Sequence, residues 1–137
     1  MATNAQYTAA PICEVSQVTT ADTSRTAPTN STEVTAGPSA TAGNGVGKRI
    51  FRVTIQATAT TTAGVIRFFY STDSGTTKRL ICEKLVPAIT PSTSVAAFRT
   101  EVAELVGLII PGGTTNKIYA TTNNSETFNI LVESGTL

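Results

Sequence analysis

Apolar and polar residues alternate with a period of two in the part of the chain after residue 48. Between Arg49 and Ala59 a mainly polar row alternates with an apolar row, which consists of Phe51, Val53, Ile55, Ala57 and Ala59. Successive side chains of a β-strand point to opposite faces of the sheet. This segment therefore predicts a half-buried antiparallel strand.

Other short apolar segments are separated by turn-forming residues and have the length of strands. Gly64–Ser71 is apolar on both faces, which predicts a central strand, and Asp73-Ser74-Gly75 predicts the turn that follows it. The remaining predicted strands are Ile12–Thr20, Arg79–Val86, Leu105–Ile110, Lys117–Thr122 and Thr127–Glu133.

The segment Ser94–Glu104 fits two structures. Val95, Phe98 and Val102 have helical spacing, whereas the surrounding β pattern favours a strand with a bend, which is the interpretation we prefer. In either case the chain has seven to eight strands and no repeat of 20 to 50 residues. The pattern predicts an all-β fold, an antiparallel two-layer sandwich or jelly roll.

Strongly apolar residues are unevenly distributed along the chain. Only 5 of the 32 Leu, Ile, Val and Phe residues lie in residues 1–49, and threonine occupies 27 of 137 positions overall. A segment so poor in apolar side chains cannot bury enough surface to offset its own ordering entropy. We therefore expect residues 1–47 to form an extended N-terminal arm and residues 48–137 to form the β-sandwich domain, with the glycine cluster Gly43–Arg49 as a flexible hinge between them.

An arm of this composition would need another molecule to order it, for example by adding strands to a neighbouring sheet edge. Its few apolar residues are the expected partner contacts, together with the basic cluster at the start of the domain. This predicted partner-binding set comprises Ile12, Val15, Val18, Val34, Lys48, Arg49 and Arg52.

The composition excludes several kinds of chemistry. Histidine is absent, which removes histidine-dependent catalysis, and the scattered carboxylates and two distant cysteines do not form a metal-binding motif. We expect no enzyme activity and no cofactor. A net charge of +1 argues against nucleic-acid binding. The chain also lacks a run of 18 apolar residues and a secretory signal, so we expect no membrane contact, synthesis in the cytoplasm, and reduced Cys13 and Cys82.

A family resemblance rests on the order of several short motifs. Gly47–Val53 leads into Thr61–Tyr70, and three later pieces follow in order: Leu80–Pro87 with Thr90-Pro91-Ser92, Ile110–Gly113, and Asn123–Ile130. In this arrangement the chain resembles small structural proteins of tailed bacteriophage virions, in particular capsid decoration or cement proteins. Such proteins are β domains that bind the major capsid protein and clamp neighbouring capsomers.

The resemblance implies a non-enzymatic role on the capsid surface of a virion. The expected partners are the major capsid protein and copies of the chain itself, in a dimer or trimer. Two alternatives stay open: a tail-tube or tail-tip component, and a host-surface or carbohydrate-binding β-sandwich module. For the second alternative, the candidate stacking residues are Tyr7, Tyr70 and Tyr119, since the chain has no tryptophan.

Overall fold

A computed structural model describes residues 10–39 and 47–137, and these residues form nine β-strands and one short 3₁₀ helix, Ala103–Leu105. The strands are β1 (Ala10–Val18), β2 (Thr32–Ala36), β3 (Lys48–Ala57), β4 (Gly64–Ser71), β5 (Arg79–Val86), β6 (Arg99–Glu101), β7 (Ile109–Ile110), β8 (Lys117–Thr122) and β9 (Phe128–Thr136). The described residues include no helix long and apolar enough to cross a membrane.

The strands form two antiparallel sheets that face each other. Sheet A has the order β1-β9-β3-β6, with β7 also paired to β3, and sheet B has the order β2-β8-β4-β5. The pairs β1·β9, β2·β8, β3·β6 and β4·β5 thus nest inside one another along the chain. This is the strand order of a jelly roll, in which one long antiparallel ladder wraps into two sheets. The predicted all-β sandwich or jelly roll is confirmed.

The core lies between the sheets and follows from the alternation of the strands. Val53, Ile55 and Ala57 of β3 are buried with alternate residues of β9, and Ile66 and Phe68 of β4 face them from sheet B. Each of these side chains is at most 2% exposed. Burial of alternate apolar side chains is the main force that holds the sheets together.

The predicted arm is wrong for residues 10–39. β1 pairs with β9 over nine residues, from Ala10 opposite Thr136 to Val18 opposite Phe128, and β2 pairs with β8. The low content of apolar residues does not prevent this part from folding, because strands that join the edges of an existing sheet gain backbone hydrogen bonds and need few core side chains. Residues 1–9 and most of the predicted hinge lie outside the described residues.

Two predicted strands are shorter in the structure. Ser94–Glu104 contains only β6 and the start of the 3₁₀ helix, and Leu105–Ile110 contributes only β7.

Phe51 was expected in the row of Val53 but is 40% exposed, because a register shift between Ile50 and Arg52 moves it to the outer side. A bulge of this kind reverses the faces of the residues beyond it.

The turn between β4 and β5 has the predicted chemistry. The Asp73 carboxylate accepts hydrogen bonds from the Thr77 amide at 2.8 Å and from the Ser71 hydroxyl at 2.7 Å. Ser74 and Gly75 both have positive φ, at 58° and 92°. The turn fixes the start of β5 against the end of β4.

Candidate functional site

Strand β5 forms an open edge of sheet B. It pairs with β4 on one side, and no described strand pairs with its other side. Leu85 is 80% exposed and Ile81 is 41% exposed along this edge. An unpaired edge offers a row of backbone N–H and C=O groups to an incoming strand.

A cleft of about 530 Å³ lies where β5 faces the segment between β6 and β7. Sheet A is short at this side, because β6 has three residues and β7 has two. Apolar side chains form much of the wall, and polar groups lie along it. The lining residues are Tyr70, Thr72, Asp73, Thr77, Arg79, Ile81, Glu104, Leu105, Leu108 and Ile109.

The acidic groups of the cleft already have partners. Glu104 pairs with Lys84 of β5 at 3.4 Å across the gap between the sheets. The Thr77 amide and then the Ser71 hydroxyl hold the pKa of Asp73 below its ordinary value. Burial raises the pKa of Tyr70 above its usual value, so this phenol is protonated at neutral pH. The cleft therefore offers apolar side chains and hydrogen-bonding groups to another molecule.

The two cysteines are free, and they differ in environment. Cys13 lies on β1 with an exposed side chain. Cys82 lies on β5 and packs against the core. Burial, followed by the negative charge of Glu104, raises the pKa of Cys82 to about 11. Since the thiolate is the reactive form, Cys82 is a poor nucleophile.

The predicted basic cluster is not one surface. Lys48 is 4% exposed, and its Nζ donates to Glu14 Oε1 at 2.9 Å and to Thr35 Oγ1 at 2.8 Å. Arg49 is exposed, while Arg52 forms a bidentate pair with Glu133 in which Nη2 lies 3.1 Å from Oε1. The prediction that Lys48 contacts a partner is wrong, because its charge is used inside the protein to join β1, β2 and β3.

The apolar residues of the predicted arm also divide into two groups. Val18 is 1% exposed and Val34 is 3% exposed, and both belong to the core, so neither is a partner contact. Ile12 is half-buried, whereas Val15 is 67% exposed opposite Leu131 on the outer face of sheet A. Of these four residues, Val15 has the side chain most available to another molecule.

The connection between β1 and β2 covers the outer face of sheet B. The Asp22 amide donates to the Thr122 carbonyl at 2.8 Å, and Arg67 Nη1 donates to the Asp22 carbonyl at 3.3 Å. Arg67 is only 3% exposed and also pairs with Glu83 at 3.1 Å. Burial disfavours ionised Asp22, but hydrogen bonds from the amides of Asn30, Ser24 and Thr29 outweigh it, so the Asp22 pKa lies below its usual value. The connection between β1 and β2 is therefore fixed against β4 and β8 on this face of sheet B.

Sequence reasoning identified β5 but missed the cleft beside it. Leu105, Leu108 and Ile109 were assigned to one continuous strand, whereas the structure places Leu105 at the end of the 3₁₀ helix, Leu108 in the connection that follows and Ile109 in β7, and all three line the cleft. A signal was present in Gly107, which has a φ of 86° and interrupts the apolar run. A glycine inside a strand pattern often marks such a break.

Comparisons with known proteins add no family assignment. No protein-family model matches the chain, and no curated protein matches it. Among residues 10–39 and 47–137, no three or more Cys, Asp or Glu side chains come together in a group that could hold a metal ion. The candidate site is therefore defined by its geometry: the open edge of β5 and the adjoining cleft.

Proposed function

We propose that this protein is a non-enzymatic structural component of a bacteriophage virion, a decoration protein that binds the major capsid protein and stabilises the head. The observation that carries the proposal is the open β5 edge, which displays Leu85 and Ile81 beside a cleft. Jelly rolls are also a common architecture of viral capsid domains. The motif resemblance to tailed-phage structural proteins points in the same direction.

The surface offers further apolar side chains for association. Some large apolar residues of the two sheets and of the connections between strands are 40% to 80% exposed: Val15, Phe51, Ile81, Leu85, Val95, Val106, Ile109 and Leu137. Exposed apolar surface commonly marks sites of protein association. A decoration protein would bury such side chains against the shell and between copies, and its stabilising effect would come from interface area.

Electron microscopy of virions tests the location. Virions that carry the protein with a peptide tag are labelled with an antibody against the tag and imaged, with untagged virions as the control. Label distributed over the head supports decoration. Label confined to the tail would replace this proposal with the tail-tube or tail-tip alternative, and virions without label would refute both.

A thermal comparison tests the stabilising role. Particles with and without the protein are heated, and DNA release is followed with a dye that fluoresces on free DNA. We expect release at a lower temperature from particles that lack the protein. Restored heat resistance after addition of the purified chain would assign the effect to binding at the shell, and identical release curves would contradict the cement role.

A carbohydrate-binding module is the alternative from a different class, since lectin domains share the jelly-roll architecture. The observation in its favour is Tyr70, which lines the cleft with Arg79. Tyr119 is less suitable because it is 9% exposed, with Lys78 Nζ 5.0 Å from its ring centroid. A glycan array with reproducible hits that are lost in Tyr70→Ala would favour this alternative.

A further inference from the structure

Strand β1 is the longest straight edge of the sandwich. It pairs with β9 over nine residues without a register shift, and no described strand pairs with its other side. The edge strands of sheet B are interrupted, because register shifts occur in the pairing of β2 with β8 and of β5 with β4. At the opposite edge of sheet A, β6 has only three residues. A long edge without a bulge is the best template for continuous pairing with another strand.

The ladder of sheet A shows which residues of β1 present backbone groups to this edge. In an antiparallel strand the N–H and C=O of one residue point to the same side, and the side alternates along the strand. The Val53 carbonyl accepts from the Val102 amide on the β6 side of β3, so the backbone groups of Thr54 face β9 and Leu131. The even-numbered residues of β9 therefore face β1, where they lie opposite even-numbered residues. The odd-numbered residues of β1 present their backbone groups to the open edge: Pro11, Cys13, Val15 and Gln17.

Two observations agree with this direction. Pro11 has no N–H, and its outward position means that the β1·β9 ladder loses no hydrogen bond there. The Gln17 carbonyl has the Thr32 hydroxyl at 3.5 Å, outside the ladder with β9. A carbonyl oxygen has a second lone pair, so this contact leaves it able to accept from another amide.

The side chains of β1 match a second copy of the same strand. Val15 is 67% exposed, and a two-fold axis at this residue would cover it with Val15 of the second copy. The same register places Cys13 opposite Gln17 on the outer face and Glu14 opposite Ser16 on the inner face. No like charges lie opposite each other, and the backbone groups of the outward residues meet in hydrogen-bonded pairs.

The neighbouring symmetric registers are less favourable. An axis at residue 14 places Glu14 directly opposite Glu14 of the second copy, and like charges in that position are destabilising. An axis at residue 13 places Val15 opposite Pro11, which has no N–H to donate and leaves the exposed valines apart. The sequence of β1 therefore favours the axis at Val15.

We propose that β1 of one copy pairs antiparallel with β1 of a second copy across a two-fold axis at Val15, which joins the two A sheets into one continuous sheet. This inference rests on the proposed assembly function and deepens it by naming the contact between copies. Because both copies use the same surface, the contact is isologous and closes at a dimer. The edge of β5 belongs to sheet B, so the dimer leaves it available to the shell.

A charge at the axis tests the contact with the purified full chain. Val15→Glu places two carboxylates opposite each other and leaves the ladder with β9 intact, since the Val15 amide points away from it. The matched control is Leu85→Glu, which adds the same charge at a side chain that is 80% exposed on the β5 edge. Sedimentation velocity from micromolar to millimolar concentration gives the dimer dissociation constant of each chain, and circular dichroism checks that each is folded.

We expect Val15→Glu to raise the dimer dissociation constant at least about 30-fold, since like charges opposed at an interface are strongly unfavourable. Leu85→Glu should stay within about two-fold of the unchanged chain, because an exposed substitution away from the contact has little effect. A chain that stays monomeric up to millimolar concentration would overturn the proposal. Equal effects of the two substitutions, or a larger effect of Leu85→Glu, would do the same.

Disulfide trapping tests the register without adding a charge. Val15→Cys in a Cys13→Ser, Cys82→Ser background puts two thiols at the axis, where the Cα atoms of a hydrogen-bonded pair lie about 5.5 Å apart, within the range that a disulfide spans. The matched control is Cys82→Ser alone, which keeps Cys13. In the proposed register the two Cys13 residues are offset by about four residues, or roughly 13 Å along the strands, which is too far for a disulfide.

Under mild oxidation we expect at least about five-fold more disulfide-linked dimer from Val15→Cys than from the Cys13 control. A yield from Cys13 that equals or exceeds that of Val15→Cys would refute the axis at Val15. Since these measurements use no virions, their failure is separable from that of the capsid role, which the labelled virions decide.

Discussion

The ion pair between Glu14 of β1 and Lys48 of β3 gives a quantitative test of whether the N-terminal strands belong to the sandwich. Removing one partner of a buried pair typically costs about 3–5 kcal/mol, because the other charge stays buried. Lys48 is 5% exposed and Glu14 is 35% exposed in their side chains, so water partly reaches the pair. We therefore expect Glu14→Ala to lower the free energy of unfolding by about 2–3 kcal/mol.

The loss should appear as a lower melting temperature. At about 3–4 °C per kcal/mol for a domain of this size, the expected decrease is roughly 6–12 °C, measured by differential scanning calorimetry and checked by urea titration. The matched control is Glu33→Ala, which breaks the more exposed pair with Lys117 at 2.7 Å and should cost about 0–1 kcal/mol. An unchanged melting temperature in Glu14→Ala would refute the argument, since it would mean that Glu14 does not compensate the buried charge of Lys48.

Three further predictions address the core, the loop over sheet B and the cysteines. Val34→Ala should cost about 1–3 kcal/mol, whereas the exposed Val15→Ala should stay within about 0.5 kcal/mol; equal effects in urea titrations would contradict the core position of β2. Asp22→Asn should cost about 1–2 kcal/mol at pH 7 through weakened amide hydrogen bonds. Folding lowers the pKa of Asp22, so this contribution to stability is present above its unfolded pKa of about 3.9 and is lost as the pH falls through the lower pKa of the folded state. If calorimetry showed the same penalty for Asp22→Asn well below the folded-state pKa, the result would contradict this prediction. In alkylation followed by mass spectrometry at neutral pH, Cys13 should be modified at least about ten-fold faster than Cys82, whose pKa is about 11; equal rates would show that Cys82 is accessible and ionised.

The strands with clear alternation were predictable because their neighbours along the chain specify them. β3, β4, β8 and β9 combine β-branched or aromatic residues with flanking turns, and their predicted bounds differ from the observed ones by three residues or fewer. β2 was missed because Thr32–Ala36 contains only one strongly apolar residue, Val34. Its strand structure depends on pairing with β8, which lies about 85 residues away in sequence.

The candidate site was less predictable than the fold. The open edge of β5 depends on the absence of a described partner strand, and the cleft depends on how Leu105, Leu108 and Ile109 of sheet A's side are placed opposite β5. Neither property is local to a few residues. Lys48 shows the same limit, because its position at a strand start suggested a solvated charge, and only the approach of Glu14 and Thr35 gives it a buried partner.

By itself the sequence determined that this chain is all-β, where most of its strands and turns fall, and that it has no histidine for catalysis, because side-chain period and residue chemistry are local properties. Only the tertiary structure decided that β1 and β2 complete the two sheets, that Lys48 is internal, and that the β5 edge stays open beside a cleft. These features depend on hydrogen bonds and charge pairs between distant segments, and the free energy of such contacts is set by their three-dimensional arrangement.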